Sequence, residues 1–333
     1  MGIDGVAAEP ASGVEADTTG GSKRRWGRWV RVALGVGLLA ILLTQVDLAG
    51  AIRVVAGARL ELLLLALLIL LASRIIAALR WYLLVRGRHS AATPGAVVRI
   101  MFVSSFAGYF LPGSVGVEVL RIYGLGRRMR DPALSATSVL VERLVATVVL
   151  VLLVLVGAAA RPPGLPEQID LLAWLCLGVL VIGVLGLMAP PARRLALRLL
   201  PGRRLARIRE AFGKVFVALD SYRSRPALIG GSFLLAFVFQ LMRCASVTVN
   251  AAALGHPLPF TFIMIVYPAM LLVSLLPISI AGLGVREVSF VYFLGLGGMP
   301  AEVALPLALI QRFFAILATL PGAWWYMKGG LNG

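Results

Sequence analysis

The chain has 333 residues, of which 60% are hydrophobic and only 14% charged, with a mean hydropathy of +0.94. A soluble domain of this length cannot bury so much apolar surface, whereas about 20 apolar residues make one bilayer span. The net charge of +17 would suit nucleic acid, but the arginines fall in short loops between apolar runs, with no aromatic–basic interleaving and no long basic tail, so a nucleic-acid partner is excluded.

In chain order, residues 1–24 hold Asp4, Glu9, Glu15 and Asp17 among small polar residues and are expected to form a disordered cytosolic tail. Lys23, Arg24, Arg25 and Arg28 precede an apolar run at 29–46. Ala49-Gly50-Ala51 mimics a signal-peptidase site, but further spans follow, so the run is read as an uncleaved first transmembrane helix. Apolar runs predict more helices at 60–85, 133–159, 171–189, 227–254 and 302–326. The fold class is therefore an all-α polytopic membrane protein with about six full transmembrane helices. Its first membrane half spans 25–190 and its second 227–328, joined by a basic amphipathic cytoplasmic segment at 191–226.

Two further apolar stretches, 96–125 and 260–297, share an unusual pattern. Leu111-Pro112 is followed nine positions after the proline by Arg121, and Leu276-Pro277 is followed at the same offset by Arg286. Basic residues set the sidedness: five in 23–31, four in 80–99, four in 121–130 and ten in 193–225, against Arg53, Arg59 and Arg161 on the other side. The rich loops are cytoplasmic, as are both termini. Both ends of 96–125 then face the cytoplasm, and both ends of 260–297 face outward. Each stretch is predicted to be a re-entrant helical hairpin, and the two halves to form an inverted-topology repeat.

A helix restarting at a membrane proline presents free N–H groups and a positive dipole end, which suits an anion. Pro112, Gly113, Ser114 and Gly116 supply such a start in the first half, and Pro277, Ser279, Gly282 and Gly284 in the second. Arg143 and Arg312 lie about ten residues into their helices, near the middle of a hydrocarbon core roughly 30 Å thick, and Arg243 is similarly deep. Arg121 is expected to guard the inner mouth and Arg286 the outer one. Glu118, Glu142 and Glu287 are too few to neutralise these arginines together with Arg74. Arg143–Glu118 and Arg312–Glu287 are the natural structural ion pairs, and snorkelling accounts for Arg74 and Arg80. The excess charge predicts a ligand with an anionic headgroup.

Cys176 and Cys244 lie in apolar runs, and His89 and His256 fall far apart, so neither a metal site nor a cofactor is expected. In 193–225, Leu205, Ile208, Phe212, Val215, Phe216, Leu219 and Tyr222 share one helical face. This suits either a helix on the anionic inner leaflet or a linker packed on the bundle.

Phe110-Leu111-Pro112-Gly113-Ser114-Val115-Gly116 with Glu118 and Arg121 resembles the signature of the lysylphosphatidylglycerol synthase transmembrane family, also described as flippase-like. Glu142-Arg143-Leu144 and the stretch from Pro277 through Ala281 to Glu287 are similar to its later blocks, with Val117 and Ala281 where glycine is expected. The resemblance covers about residues 30–328. It implies a multi-pass protein of the bacterial plasma membrane that moves aminoacylated, polyprenyl-phosphate-linked or other anionic-headgroup lipids between leaflets. The synthase proper adds a soluble aminoacyl-transfer domain after the membrane part; the chain ends at Gly333, so translocation without synthesis is the expectation. Two alternatives stay open. One is a lipid-modifying enzyme using Glu118, Glu142 or Glu287 as base, though no second catalytic group accompanies them. The other is a scaffold for cell-envelope glycosyltransferases; such an enzyme, or a second copy of the chain, is the candidate protein partner.

Overall fold

The computed structural model describes residues 48–88, 92–108, 116–160, 225–274 and 284–328, with isolated positions between 171 and 182 and between 213 and 224. Every regular element among the described residues is an α-helix. In order these are α1 (Leu48–Ala56), α2 (Leu60–Arg86), α3 (Pro94–Gly108), α4 (Gly116–Met129), α5 (Pro132–Ala160), α6 (Pro226–Ala253), α7 (Phe260–Ser274), α8 (Val285–Gly295), α9 (Ala301–Leu317) and α10 (Leu320–Met327). The 1–24 tail, the 29–46 helix and most of 171–189 and 193–225 lie outside the described residues. So do Pro112, Gly113 and Ser114, and Pro277, Ser279 and Gly282.

Helices α2, α5 and α6 and the α9–α10 stretch are each long and apolar enough to cross a membrane. Leu60, Leu64, Leu68, Ile75 and Leu79 of α2 point outward, while Ala66, Leu70, Ser73, Ala77, Trp81 and Leu84 face the interior at helical spacing. Arg80, Glu142, Gln240, Asn250, Glu287 and Gln311 are buried. Apolar outside and polar within is the arrangement that lipid selects. The chain is a polytopic helical membrane protein.

Two elements differ from the sequence reading. The short helix α1 follows the predicted end of the first span and lies against α9, with the Arg59 N–H donating to Ala253 O at 2.9 Å to fix the start of α2 on the end of α6. The helix expected at 302–326 is broken at Ala318–Thr319. Pro321 has no N–H for the carbonyl of Leu317, so the ladder ends there and restarts as α10.

Helix α10 then packs backbone-to-backbone on α3. A Cβ on Gly322 would stand 2.1 Å from the carbonyl oxygen of Phe102, and the flanking rings interlock, Phe102 with Trp325 at 6.0 Å and Phe106 with Tyr326 at 6.5 Å. Small residues permit such approaches in membrane bundles. Gly322→Val should therefore lower the melting temperature of the purified protein by the equivalent of about 1–3 kcal/mol, since backbone rather than a movable side chain blocks the new atoms.

The halves repeat one pattern of lengths: 27, 15, 14 and 29 residues for α2 to α5, then 28, 15, 11 and 27 for α6, α7, α8 and the α9–α10 stretch. The register is set by the helices. Glu118 and Glu287 are each the third residue of their helix, and Arg143 and Arg312 each the twelfth. Each of these pairs is 169 positions apart, as are Arg74 and Arg243. The Leu-Pro offset instead equates Arg121 with Arg286, four positions out of step. The connection between α7 and α8 is longer than that between α3 and α4, so the Leu-Pro offset and the offset of the helical residues differ. In the helical register Arg121 matches Phe290, Glu142 matches Gln311, and Arg286 matches Val117.

Candidate functional site

The first charged group is built by α2, α4 and α5. Ser135, Ser138, Glu142, Val145 and Val149 form the buried stripe of α5, which places the Glu142 carboxylate inside the bundle. Arg80 of α2 donates to Glu142 Oε1 at 2.6 Å, and Arg121 of α4 donates to Oε2 of the same carboxylate. Arg80, Arg121 and Glu142 are only 6%, 9% and 3% exposed. One turn away on α4, Glu118 accepts a hydrogen bond from Arg143, the residue after Glu142. This second pair is more open, the side chain of Arg143 being 41% exposed. Gly116 opens α4.

Trp81 holds this group in place. Its ring lies 4.1 Å from the Arg121 guanidinium, and its Nε1–H donates to Ser138 Oγ at 3.1 Å. Ser138 in turn donates to Ser135 O at 2.8 Å. A cation stacked on a desolvated indole gains about 2 kcal/mol, which offsets part of the cost of burial. Beside these side chains lies a cavity of about 210 Å³ lined by Arg80, Glu118, Arg121, Glu142, Arg143 and Thr147. At about 30 Å³ per water it has room for several waters or a phosphate-sized group. Glu118 Oε2 is buried without a hydrogen-bond partner.

The second group is built by α6, α7, α8 and α9. Arg312 donates to Glu287 Oε1 at 2.5 Å. The other oxygen of Glu287 accepts the Gly284 N–H at 2.9 Å, capping the first turn of α8. Gly284 has φ 77°, a conformation that requires glycine at this helix start. Arg243 donates to the Tyr267 hydroxyl at 2.5 Å and lies 5.2 Å from that ring, which packs edge-on against Phe290 at 6.1 Å. The Arg286 guanidinium lies 5.7 Å from the Phe290 ring, and its Nε is buried without a hydrogen-bond partner.

One ring joins the groups. Phe239 of α6 lies 5.6 Å from the Arg80 guanidinium and 5.5 Å from that of Arg243. The charges do not balance. Among the described residues, Arg80, Arg121 and Arg143 meet Glu118 and Glu142, whereas Arg243, Arg286 and Arg312 share the neighbourhood of one carboxylate, Glu287, which Arg312 engages.

Among the residues singled out from sequence, Glu118 meets Arg143, Arg121 meets Glu142, and Arg312, Glu287 and Gly284 form one network. Arg243 and Arg286 adjoin the Tyr267–Phe290 ring pair. Arg80 corrects the snorkelling account: instead of reaching for the cytoplasmic surface it turns inward to Glu142, because a buried carboxylate is a stronger partner than the interface. Trp81, Phe239 and Tyr267 were missed. Their only signal was an aromatic ring at the depth of an arginine.

The family described as the lysylphosphatidylglycerol synthase TM region matches the chain over residues 28–322, a range that contains both charged groups. The chain belongs to that family. No curated protein and no solved structure matches it. Family membership gives it a lipid-related function in the membrane.

Proposed function

We propose that the protein is a flippase-type transporter that moves a lipid with an anionic headgroup between the leaflets. The observation that carries this reading is the imbalance among the described residues inside the bundle: Arg80, Arg121 and Arg143 meet Glu118 and Glu142 beside a cavity of about 210 Å³, and Arg312 meets Glu287 with Arg243 and Arg286 in the same half. Each arginine costs about 2.5–3.5 kcal/mol or more to hold in a membrane and does not lose its charge. A negatively charged headgroup passing through would compensate the excess that the protein leaves.

The matched helix lengths and the offset of 169 residues support two halves of common design. With basic loops inside, the halves are inverted, α3–α4 and α7–α8 are re-entrant from opposite leaflets, and the two rock about the charged interior. Glu118–Arg143 and Glu287–Arg312 act as the two gates. At each gate the headgroup phosphate replaces the carboxylate on the arginine, so the cation is never left bare. The setting is a bacterial plasma membrane with both termini cytoplasmic.

Reconstitution in vesicles with fluorescent phosphatidylglycerol, lysyl-phosphatidylglycerol and polyprenyl phosphate tests the reading. At least one should equilibrate between leaflets faster than in protein-free vesicles. Movement of none would overturn the transport reading and leave a scaffold or an enzyme.

A further inference from the structure

We infer that the second charged group, Arg286 with Arg243 and Arg312, is the subsite that holds the ligand's phosphate, and that the first group, which has one carboxylate more, is only a gate. This rests on the transport reading and adds to it a location and a division of labour.

The duplication makes the comparison internal. At an offset of 169 residues the second half has glutamine at 311 where the first has Glu142, phenylalanine at 290 where it has Arg121, and arginine at 286 where it has Val117. The second half thus has one buried carboxylate fewer and its extra cation at a different position. Gln311 does not replace that carboxylate electrically, and its Nε2–H is directed to Ser246 Oγ at 3.3 Å. Glu287 is already engaged by Arg312 and by the Gly284 N–H. The hydrogen bond of Arg243 goes to a phenol, not a carboxylate.

Arg286 therefore stands within electrostatic reach of Arg243 and Arg312, which repel it, with Glu287 the one nearby carboxylate among the described residues. Its Nε–H is buried and unused. Arginine cannot escape such a site by deprotonation. A phosphate answers each of these conditions, since its oxygens accept several charge-assisted hydrogen bonds at once and bridge neighbouring guanidiniums. Arg286 is also the second residue of α8, where the positive end of the helix dipole favours an anion. In the first group, by contrast, Glu142 is shared by two arginines and Glu118 takes the third, so one positive charge is in excess there against two in the second group among the described residues.

The test is thermal melting of the full chain in phosphatidylcholine nanodiscs, titrated with dioctanoyl phosphatidylglycerol, dioctanoyl phosphatidylcholine or inorganic phosphate. Phosphatidylglycerol should raise the melting temperature more than phosphatidylcholine does. Arg286→Gln should raise the half-saturating concentration by about tenfold or more, the worth of one charge-assisted hydrogen bond. Arg243→Gln, on a different helix, should do the same, whereas Arg286→Lys should retain most of the response and Arg143→Gln should weaken it less. Without ligand, Arg286→Gln should melt higher than wild type, because it removes a partly buried cation that two neighbouring arginines repel; a merely structural arginine would give the opposite sign. A response to inorganic phosphate places recognition in the phosphate itself; a response to phosphatidylglycerol alone places it in the lipid headgroup, and both support the subsite. A phosphatidylglycerol response that survives Arg286→Gln and Arg243→Gln but is lost in Arg143→Gln would overturn the assignment and leave transport standing. No response to any probe overturns both.

Discussion

Glu142→Gln is expected to destabilise the protein by about 3–5 kcal/mol, the cost of breaking a buried ion pair from one side. The carboxylate receives Arg80 and Arg121, and all three side chains are almost fully buried. Glutamine keeps the shape and one acceptor oxygen but leaves two guanidiniums without a counter-charge. The second half offers a remedy. Its equivalents are Gln311 and Phe290, so Arg121→Phe combined with Glu142→Gln copies a solution the protein already uses. A phenylalanine can lie against Trp81 where the Arg121 guanidinium lies now. The double variant should recover part of the loss, with Arg80 the remaining unpaired cation. Denaturant unfolding in mild micelles measures both. A Glu142→Gln protein within about 1 kcal/mol of wild type would mean that water from the adjacent cavity solvates the arginines, and that the triad is not a structural anchor.

The long spans were legible because some 20 apolar residues in a row have one explanation. The predicted ends of α2, α5 and α6 fall within one residue of those found. The break before α10 was signalled by Pro321 but masked by the continuous apolar run around it. The Leu-Pro motifs and the ion-pair residues repeat at offsets that differ by four positions, and the α7–α8 connection is longer than the α3–α4 one. The ion pairs Glu118–Arg143 and Glu287–Arg312 were the natural pairs to expect and are present, each spanning 25 positions. Arg80 was hidden because its partner lies 62 residues away, and no local pattern reports such a contact. An arginine near the cytoplasmic end of a span reads as snorkelling unless a buried carboxylate is known to wait on the neighbouring helix. The imbalance of charge was visible in the sequence, but its unequal division between the halves was not, since that depends on which helix faces which.

Exchanging the charges of one gate separates an ion pair that only ties helices from one that hands over cargo. Arg143→Gln and Arg312→Gln should each reduce lipid movement by about a hundredfold or more while leaving folded protein in the membrane, because each removes a charge the headgroup needs at its transition. In the first gate, Glu118→Arg combined with Arg143→Glu restores opposite charges across the same two helices and should recover the melting temperature lost in Glu118→Arg alone. Transport should stay low, since the cation now projects from α4 and a carboxylate stands where the phosphate must dock. The second gate should not tolerate the exchange at all. Glu287 accepts the Gly284 N–H as well as Arg312, and an arginine at 287 cannot accept a backbone hydrogen bond, so the start of α8 loses its cap whatever stands at 312. Leaflet-exchange rates in reconstituted vesicles, read beside melting temperatures of the same preparations, decide the matter. Wild-type exchange in the swapped first gate and in both glutamine variants would mean that these pairs only brace the bundle and that the headgroup travels by another route.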